Sequence, residues 1–483
     1  PGGRSGGPGV RKANGKPPMI KSRAATTTKP MAHQVLSLAH DAKNPIVLDT
    51  SDAGTGKTAV RILAFAARRR KGGGKLLVLG PRSVLRSTWA LDFAKFAPDM
   101  VVRVGTALTR EKAFNEDADA YITNHDAVKW LLKKPKAWWA QFSELVIDEI
   151  PAYKHYTSQR SRAMFKISKH FKRRAGLTAT PNSNGICDVW HQVLLLDGGK
   201  RLGTSFFAFR NSTCTAVQKG RNEQAINWED KEGAEEAVFG LLADITIRHK
   251  LDDCADIPQT HYWVQPFELP AKQRKVYETM AEQQLLLLKN AAKVSAIHAA
   301  AVTTKLLQIC SGAIYDGDGE YHVLDTERYE AVLDMVEARK HSLVYFQWKH
   351  QRDELVRIAT ARGITRCVLD GNVSDQDRAT YVSAYQRGEY RTMFAHPRAA
   401  AHGLTLTRGT STIWCGPTYD LEWWEQGNKR QRRIGQTEKT EVVVLRAQDT
   451  IEELVYDRLM SKNARMTNLL DLFASMTPMR KKA

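Results

Sequence analysis

Nowhere in these 483 residues do 18 apolar side chains follow one another, so no segment reads as a helix able to cross a bilayer, and no membrane contact is expected. Cys-x-x-Cys pairs are also missing. The six cysteines, Cys187, Cys214, Cys254, Cys310, Cys367 and Cys415, are scattered without clustered histidines, which argues against structural zinc and for a reducing compartment. Acidic residues are in deficit, 52 Asp and Glu against 72 Lys and Arg, and the resulting charge of +20 calls for a polyanion, either nucleic acid or an anionic surface. Residues 1–23 hold six basic and no acidic side chains among Gly and Pro, too little apolar area to fold alone and no apolar core of a secretory signal. The rest is long enough for two or three domains.

What is present is organised around residues 45–58, PIVLDTSDAGTGKT. A strand-like run, Pro45 to Leu48, enters a tight loop containing Gly54, Thr55 and Gly56, and the chain leaves through Lys57 and Thr58 into a helix-like run. Glycines let the backbone turn its N–H groups inward, and a helix start adds the positive end of its dipole, so the stretch has the design of a polyphosphate cradle. In that design Lys57 reaches the β- and γ-phosphates of ATP and the Thr58 hydroxyl binds Mg²⁺. The loop departs from Gly-x4-Gly-Lys-Ser/Thr in having Asp52 or Ala53 at its first position. A Gly-rich turn that binds nothing is the plainer alternative.

From about Thr26 short apolar runs alternate with helical periodicity, the pattern of a parallel sheet covered by helices. Strands are expected at 46–49, 75–79, 101–104, 120–123, 145–147 and 174–177, with helices at 59–71 and 84–96. The fifth strand ends in Asp148-Glu149, where α/β sheets bind ligands; Asp148 is placed to hold Mg²⁺ and Glu149 to orient or deprotonate water, against the alternative of an exposed acidic turn. Residues 182–256 offer no motif, and 247–250 with 256–259 reads as a hinge broken by Pro258. Residues 271–301 read as helix. A second alternating block begins near Ser342, with strands at 342–346, 367–369, 392–395, 412–414 and 441–445, and 460–483 reads as a helix and basic tail. The expected division is an arm at 1–24, a first lobe at 25–250, a hinge at 251–262, a second lobe at 263–460 and a tail at 461–483.

The stretch 425–436, EQGNKRQRRIGQ, supplies a second cluster. Were 424–433 helical, Gln426, Arg430 and Arg433 would share one face, and arginines from a facing lobe could stabilise charge on a phosphate; a solvated basic face is the ordinary alternative.

DAGTGKT at 52, LVLGPRSVLRSTWALDFAKF at 77, DE at 148, GLTATP at 176, TTKLLQICSGAIYD at 303, HGLTLT at 402 and QGNKRQRRIGQT at 426 together resemble the Swi/Snf-like branch of helicase superfamily two, over about residues 28–462. The resemblance implies an α/β fold of two RecA-like parallel-sheet lobes in tandem with an ATP cleft between them, plus helical insertions. It implies a DNA-dependent ATPase, moving on double-stranded DNA held mainly by its phosphates. It makes Gln34 the reader of adenine, Arg430 and Arg433 the arginine fingers, and Arg82, Lys154, Lys349, Arg398 and Thr405 the DNA contacts. Trp423 and Trp424 are expected to pack behind the finger segment rather than stack on bases. Ile150-Pro151 after the acidic pair and Thr405, where the family usually has Asn, depart from the pattern. No chromatin-reading module, zinc finger or nuclease motif is visible, and the compact chain is similar to phage-encoded members. The expected setting is the cytoplasm of a bacterial or phage-infected cell, or a nucleus in a eukaryote. A strand-separating or branch-migrating helicase acting on branched DNA shares every motif, and an ATP-switched DNA-binding scaffold with little turnover remains a third reading. Protein partners are not legible.

Overall fold

The computed structural model describes residues 29–182, 185–218, 226–254, 257–290, 296–400, 404–418 and 420–460. The arm at 1–24 and the helix and tail expected beyond Met460 lie outside the described residues.

The first sheet contains β1 (Ile46–Asp49), β2 (Lys75–Gly80), β3 (Val102–Gly105), β4 (Ala120–Asn124), β5 (Phe142–Asp148) and β6 (Arg173–Leu177). After an antiparallel hairpin of β7 (Cys214–Gln218) and β8 (Ile226–Asp230), a seventh strand, β9 (Thr246–Ile247), completes it in the order β3-β4-β2-β5-β6-β1-β9, all parallel. Side chains alternate between two buried layers, as a sheet covered on both faces requires. Val47, Leu76, Val78, Ile122 and Val146 meet Ile62, Phe65, Trp89 and Phe93 on one side. Leu48, Leu77, Leu79, Tyr121, Leu145 and Ile147 meet Ile150, Met164, Ile167 and Val193 on the other.

A second parallel sheet is ordered β10-β17-β16-β13-β15-β14, from β10 (Thr260–Phe267), β13 (Ser342–Tyr345), β14 (Arg366–Leu369), β15 (Thr392–Ala395), β16 (Ser411–Trp414) and β17 (Thr440–Ala447). A small hairpin, β11 (Ala313–Tyr315) with β12 (Tyr321–Val323), stands apart from it. The alternation repeats: Leu343, Tyr345, Met393 and Val444 face one core, and Val344, Phe394, Ile413 and Val443 the other. The fold is therefore mixed α/β, two RecA-like lobes in tandem.

Three sequence expectations need correction. Residues 247–250 are not hinge: Ile247 pairs with Asp49, and the Asp52 N–H donates to His249 O at 2.9 Å, so the segment is stitched to the loop after β1. The second sheet begins at Thr260, well before Ser342, and part of the expected hinge is β10, an edge strand whose Tyr262 and Trp263 stay exposed and whose Pro266 masks its pattern. The helix expected over 424–433 runs from Leu421 to Asn428 and stops there. Gly427 is a weak helix former, and Asn428 turns its side chain inward to accept the indole N–H of buried Trp414 at 2.8 Å. The helix expected over 271–301 needs no correction: its described residues are helical, in Ala271–Asn290 and the start of Ala296–Cys310.

Candidate active site

The loop after β1 turns through Gly54 at φ 91° and Gly56 at φ 84°, left-handed conformations that only glycine adopts cheaply. The helix Lys57–Arg69 starts immediately after Gly56. The Thr55 hydroxyl donates to Asp52 O at 2.9 Å, and the Lys57 ammonium donates to Ser51 O at 2.6 Å and Asp52 O at 3.0 Å, so the loop is closed on itself. Gln34 supports it from behind. Its Nε2 donates to Thr55 O at 3.3 Å while its Oε1 accepts the Met31 N–H at 3.0 Å, and its side chain packs against Gly56.

Asp148 ends β5, and its Oδ2 accepts the Trp89 indole N–H at 2.8 Å. Glu149 follows with φ 52° and ψ 58°, a conformation costing a β-carbon residue roughly 1–2 kcal/mol and found where function outweighs local strain. Both carboxyls are pushed up by burial. Glu149 rises to about 8, its proximity to Asp148 adding to the effect.

The second lobe closes over these groups. A cleft of about 550 Å³ is lined by Gly54, Gly56, Lys57, Thr58, Asp148 and Glu149 from the first sheet's loops, and by Thr405, Gln426, Arg430 and Arg433 from the second lobe. Although the helix ends at Asn428, tight turns still carry both arginines inward: Arg430 Nε donates to Gln426 O at 2.7 Å, and Arg433 Nε to Lys429 O at 3.2 Å. The Arg433 Nη1 donates to the Thr405 hydroxyl at 3.2 Å. Burial lowers Lys57 below its ordinary value, while burial and neighbouring Arg430 lower Arg433 to about 9. Three cations crowded under cover, above two carboxylates that resist ionisation, form a site suited to a polyanion arriving with a divalent cation.

Five residues carried the expectation of DNA contact. Arg82 is exposed in the turn after β2, and Lys349 and Arg398 are exposed just past β13 and β15, on the carboxyl-end side of their sheets. Lys154 sits beyond β5 and pairs with Asp188 at 3.2 Å. Thr405 differs from them, because it lies inside the cleft against Arg433. Trp424 packs on buried Trp414 with centroids 4.9 Å apart, whereas Trp423 meets His396 edge-on at 5.8 Å. Two residues of the site escaped the sequence reading, Trp89 and Asp92. They lie in the stretch LRSTWALDF, which alone shows neither that Trp89 reaches Asp148 nor that Asp92 lines the cleft.

With this geometry in place, comparison with known proteins identifies the family. The family described as SNF2-related domain matches residues 33–312. The chain belongs to that SNF2-related family. Protein p41 of Acyrthosiphon pisum secondary endosymbiont phage 1 is 30% identical over 469 residues, 92% of this chain and 98% of that protein. The mouse Chromodomain-helicase-DNA-binding protein 1-like is 25% identical over 456 residues, 88% of this chain but only 48% of its own length. Nuclear protein STH1/NPS1 of Saccharomyces cerevisiae is 23% identical, and this SNF2-related chain spans 33% of it. Among solved structures, the Sulfolobus solfataricus SWI2/SNF2 ATPase core in complex with dsDNA covers 92% of this chain and 94% of its own at 20% identity, with a TM-score of 0.41. Membership places this SNF2-related chain, at family level, among helicase-like ATPases. Among the described residues no helix is long and apolar enough to cross a membrane.

Proposed function

We propose that this SNF2-related chain is an ATP-driven motor that moves along double-stranded DNA. The observation that carries the reading is the cleft itself, which gathers Lys57, Asp148 and Glu149 of one lobe with Arg430 and Arg433 of the other. Hydrolysis then requires both lobes, and lobe closure is the natural way to couple it to movement.

In this mechanism the inward-turned amides of the Gly54–Gly56 loop and the helix start cradle the phosphates, and Lys57 exchanges its loop carbonyls for phosphoryl oxygens. Thr58 and Asp148 are hard oxygen donors on the cleft wall and would hold Mg²⁺, which when bound neutralises phosphate charge. Trp89 keeps the Asp148 carboxylate oriented. Glu149, on the cleft wall beside Asp148, orients the attacking water and, once ionised, takes up its proton. Arg430 and Arg433 stabilise the charge that develops on the transferred group. Gln34 holds the loop in shape by its bond to Thr55 O. Arg82, Lys349 and Arg398 grip duplex phosphates, while Lys154 acts mainly through its Asp188 pair.

Steady-state ATPase rates without nucleic acid and with duplex DNA, single-stranded DNA or RNA at matched phosphate test the reading. Strong stimulation by duplex DNA, lost in Lys57→Ala and Arg433→Ala and weakening steeply with salt, is the expected result. Stimulation mainly by single strands would transfer the assignment to a strand-separating helicase, and absence of stimulation would overturn the motor reading.

A further inference from the structure

The segment after β2 does more than cover the sheet. Between Leu85 and Ala90 it makes a π-helical turn, a wide turn that changes which side chains face inward and is often found at functional sites. The short helix Leu91–Phe96 follows. Trp89 and Phe93 are fully buried in the sheet's covering layer, and Trp89 is fastened to Asp148. With those two anchors set, Asp92 comes to the cleft wall, on the side of the first lobe that faces Arg433. Among the described residues the Asp92 side chain takes part in no hydrogen bond or ion pair; the charges acting on it are Lys95, on its own helix, and Arg433, across the cleft. Burial pushes its carboxyl up to about 6, so it is ionised at neutral pH in a place where ionisation is unfavourable. An acidic side chain beside a polyphosphate site repels the substrate unless it has a cation to hold.

The opposite side of Arg433 is equally specific. Thr405, from the second lobe, accepts the Nη1–H, and Lys429 O accepts the Nε–H. The same arginine is thus tied by its own lobe and attracted by the other.

We propose that Asp92 and Thr405 are positioning residues for Arg433, Thr405 fixing the guanidinium within the second lobe and Asp92 drawing it across the cleft toward the first. The inference rests on the proposed function, in which Arg433 acts on the phosphoryl group. Asp92 balances Arg433 while the lobes close and yields it to phosphate charge in the closed state, so the arginine arrives already aimed. The Thr405 hydroxyl serves as a single-point acceptor for this purpose.

The test uses the full chain with saturating duplex DNA and compares Asp92→Asn, Asp92→Glu, Thr405→Val and Arg433→Ala, each also measured for thermal melting. Asp92→Asn is expected to lower kcat about 10-fold with KM changed less than about twofold, and Thr405→Val to lower it roughly 3–10-fold. Asp92→Glu, which keeps the charge, should recover part of the kcat lost in Asp92→Asn. In the Arg433→Ala background neither Asp92→Asn nor Thr405→Val should reduce kcat further, because the group they position is gone. A rise in KM with kcat intact would make Asp92 a substrate contact and overturn the inference. Losses that multiply in the Arg433→Ala background, or no recovery by Asp92→Glu, would overturn it too. An unchanged kcat in Arg433→Ala alone is a different result, which sinks the proposed role of Arg433 itself.

Discussion

Gly54 of the first lobe and Arg433 of the second are in contact, so close that a Cβ on Gly54 would lie 3.1 Å from the Arg433 Cγ. The apolar stem of the arginine therefore rests on the phosphate loop and its charged end continues to Thr405. Gly54→Ala would introduce both this crowding and a left-handed conformation at φ 91°. It should cost roughly 1–2 kcal/mol of stability in urea unfolding and lower kcat by about an order of magnitude or more.

Gly56 makes a separable case. A Cβ there would come within 2.3 Å of Gln34 Nε2, at φ 84°. Gly56→Ala should destabilise more than Gly54→Ala, because a buried amide as well as the backbone must give. Measured against Gln34→Ala alone, which accounts for the lost bonds to Thr55 O and Met31 N–H, adding Gly56→Ala should cost only the backbone term of roughly 1–2 kcal/mol. Thermal melting of the two single variants and the double variant measures the division, and a double variant as stable as Gln34→Ala alone would show that backbone strain contributes nothing.

Trp89→Phe keeps an aromatic ring in the buried layer but removes the five-membered ring with the N–H that Asp148 accepts at 2.8 Å, so its melting is compared as well. Asp148 is then less well aimed for Mg²⁺. The Mg²⁺ concentration for half-maximal ATPase should rise roughly 3–10-fold, with maximal rate affected less. An unchanged Mg²⁺ dependence would remove Trp89 from the site's support.

Glu149 carries two kinds of strain, its backbone at φ 52° and its buried carboxyl beside Asp148. Its folded value near 8 lies above its ordinary 4.5, so its contribution to stability is complete below pH 4.5 and is lost as pH rises through 8. Without nucleotide and Mg²⁺, Glu149→Gln should therefore melt higher than the native chain above pH 8, by roughly 2–5 °C, and the two should converge toward pH 4.5. ATP turnover should be nearly abolished in the same variant while nucleotide binding persists.

The readable part of this molecule is the part where chemistry and local pattern coincide. The Gly54–Thr58 loop and the Asp148-Glu149 pair sit on central strands whose apolar runs announce themselves, and the structure puts both in one cleft. Signals failed where tertiary contacts decide the outcome. β9 is two residues long and exists because β1 offers it an edge. β10 carries exposed aromatics and a proline because, among the described residues, its outer edge has no neighbouring strand. The finger helix ends early because Asn428 turns to Trp414, yet Arg430 and Arg433 still reach the cleft. Thr405 could be recognised in its motif, but only the fold brings its hydroxyl to Arg433 rather than to the outer surface. Asp92 lies inside the family-like stretch at 77–96, but that stretch does not show its place on the cleft wall, which follows from the turn before it.

The attachment of the 247–251 segment to the phosphate loop has a mechanical consequence. The Asp52 N–H donates to His249 O, Asp52 Oδ2 accepts the Leu251 N–H, and the chain then runs on to β10 in the second lobe. The phosphate loop is thereby spliced into the covalent tether between lobes, like a strain gauge bonded to a cable. In the proposed motor, tension along the chain would be delivered to Asp52, so load and nucleotide affinity would share one transmission line through the loop.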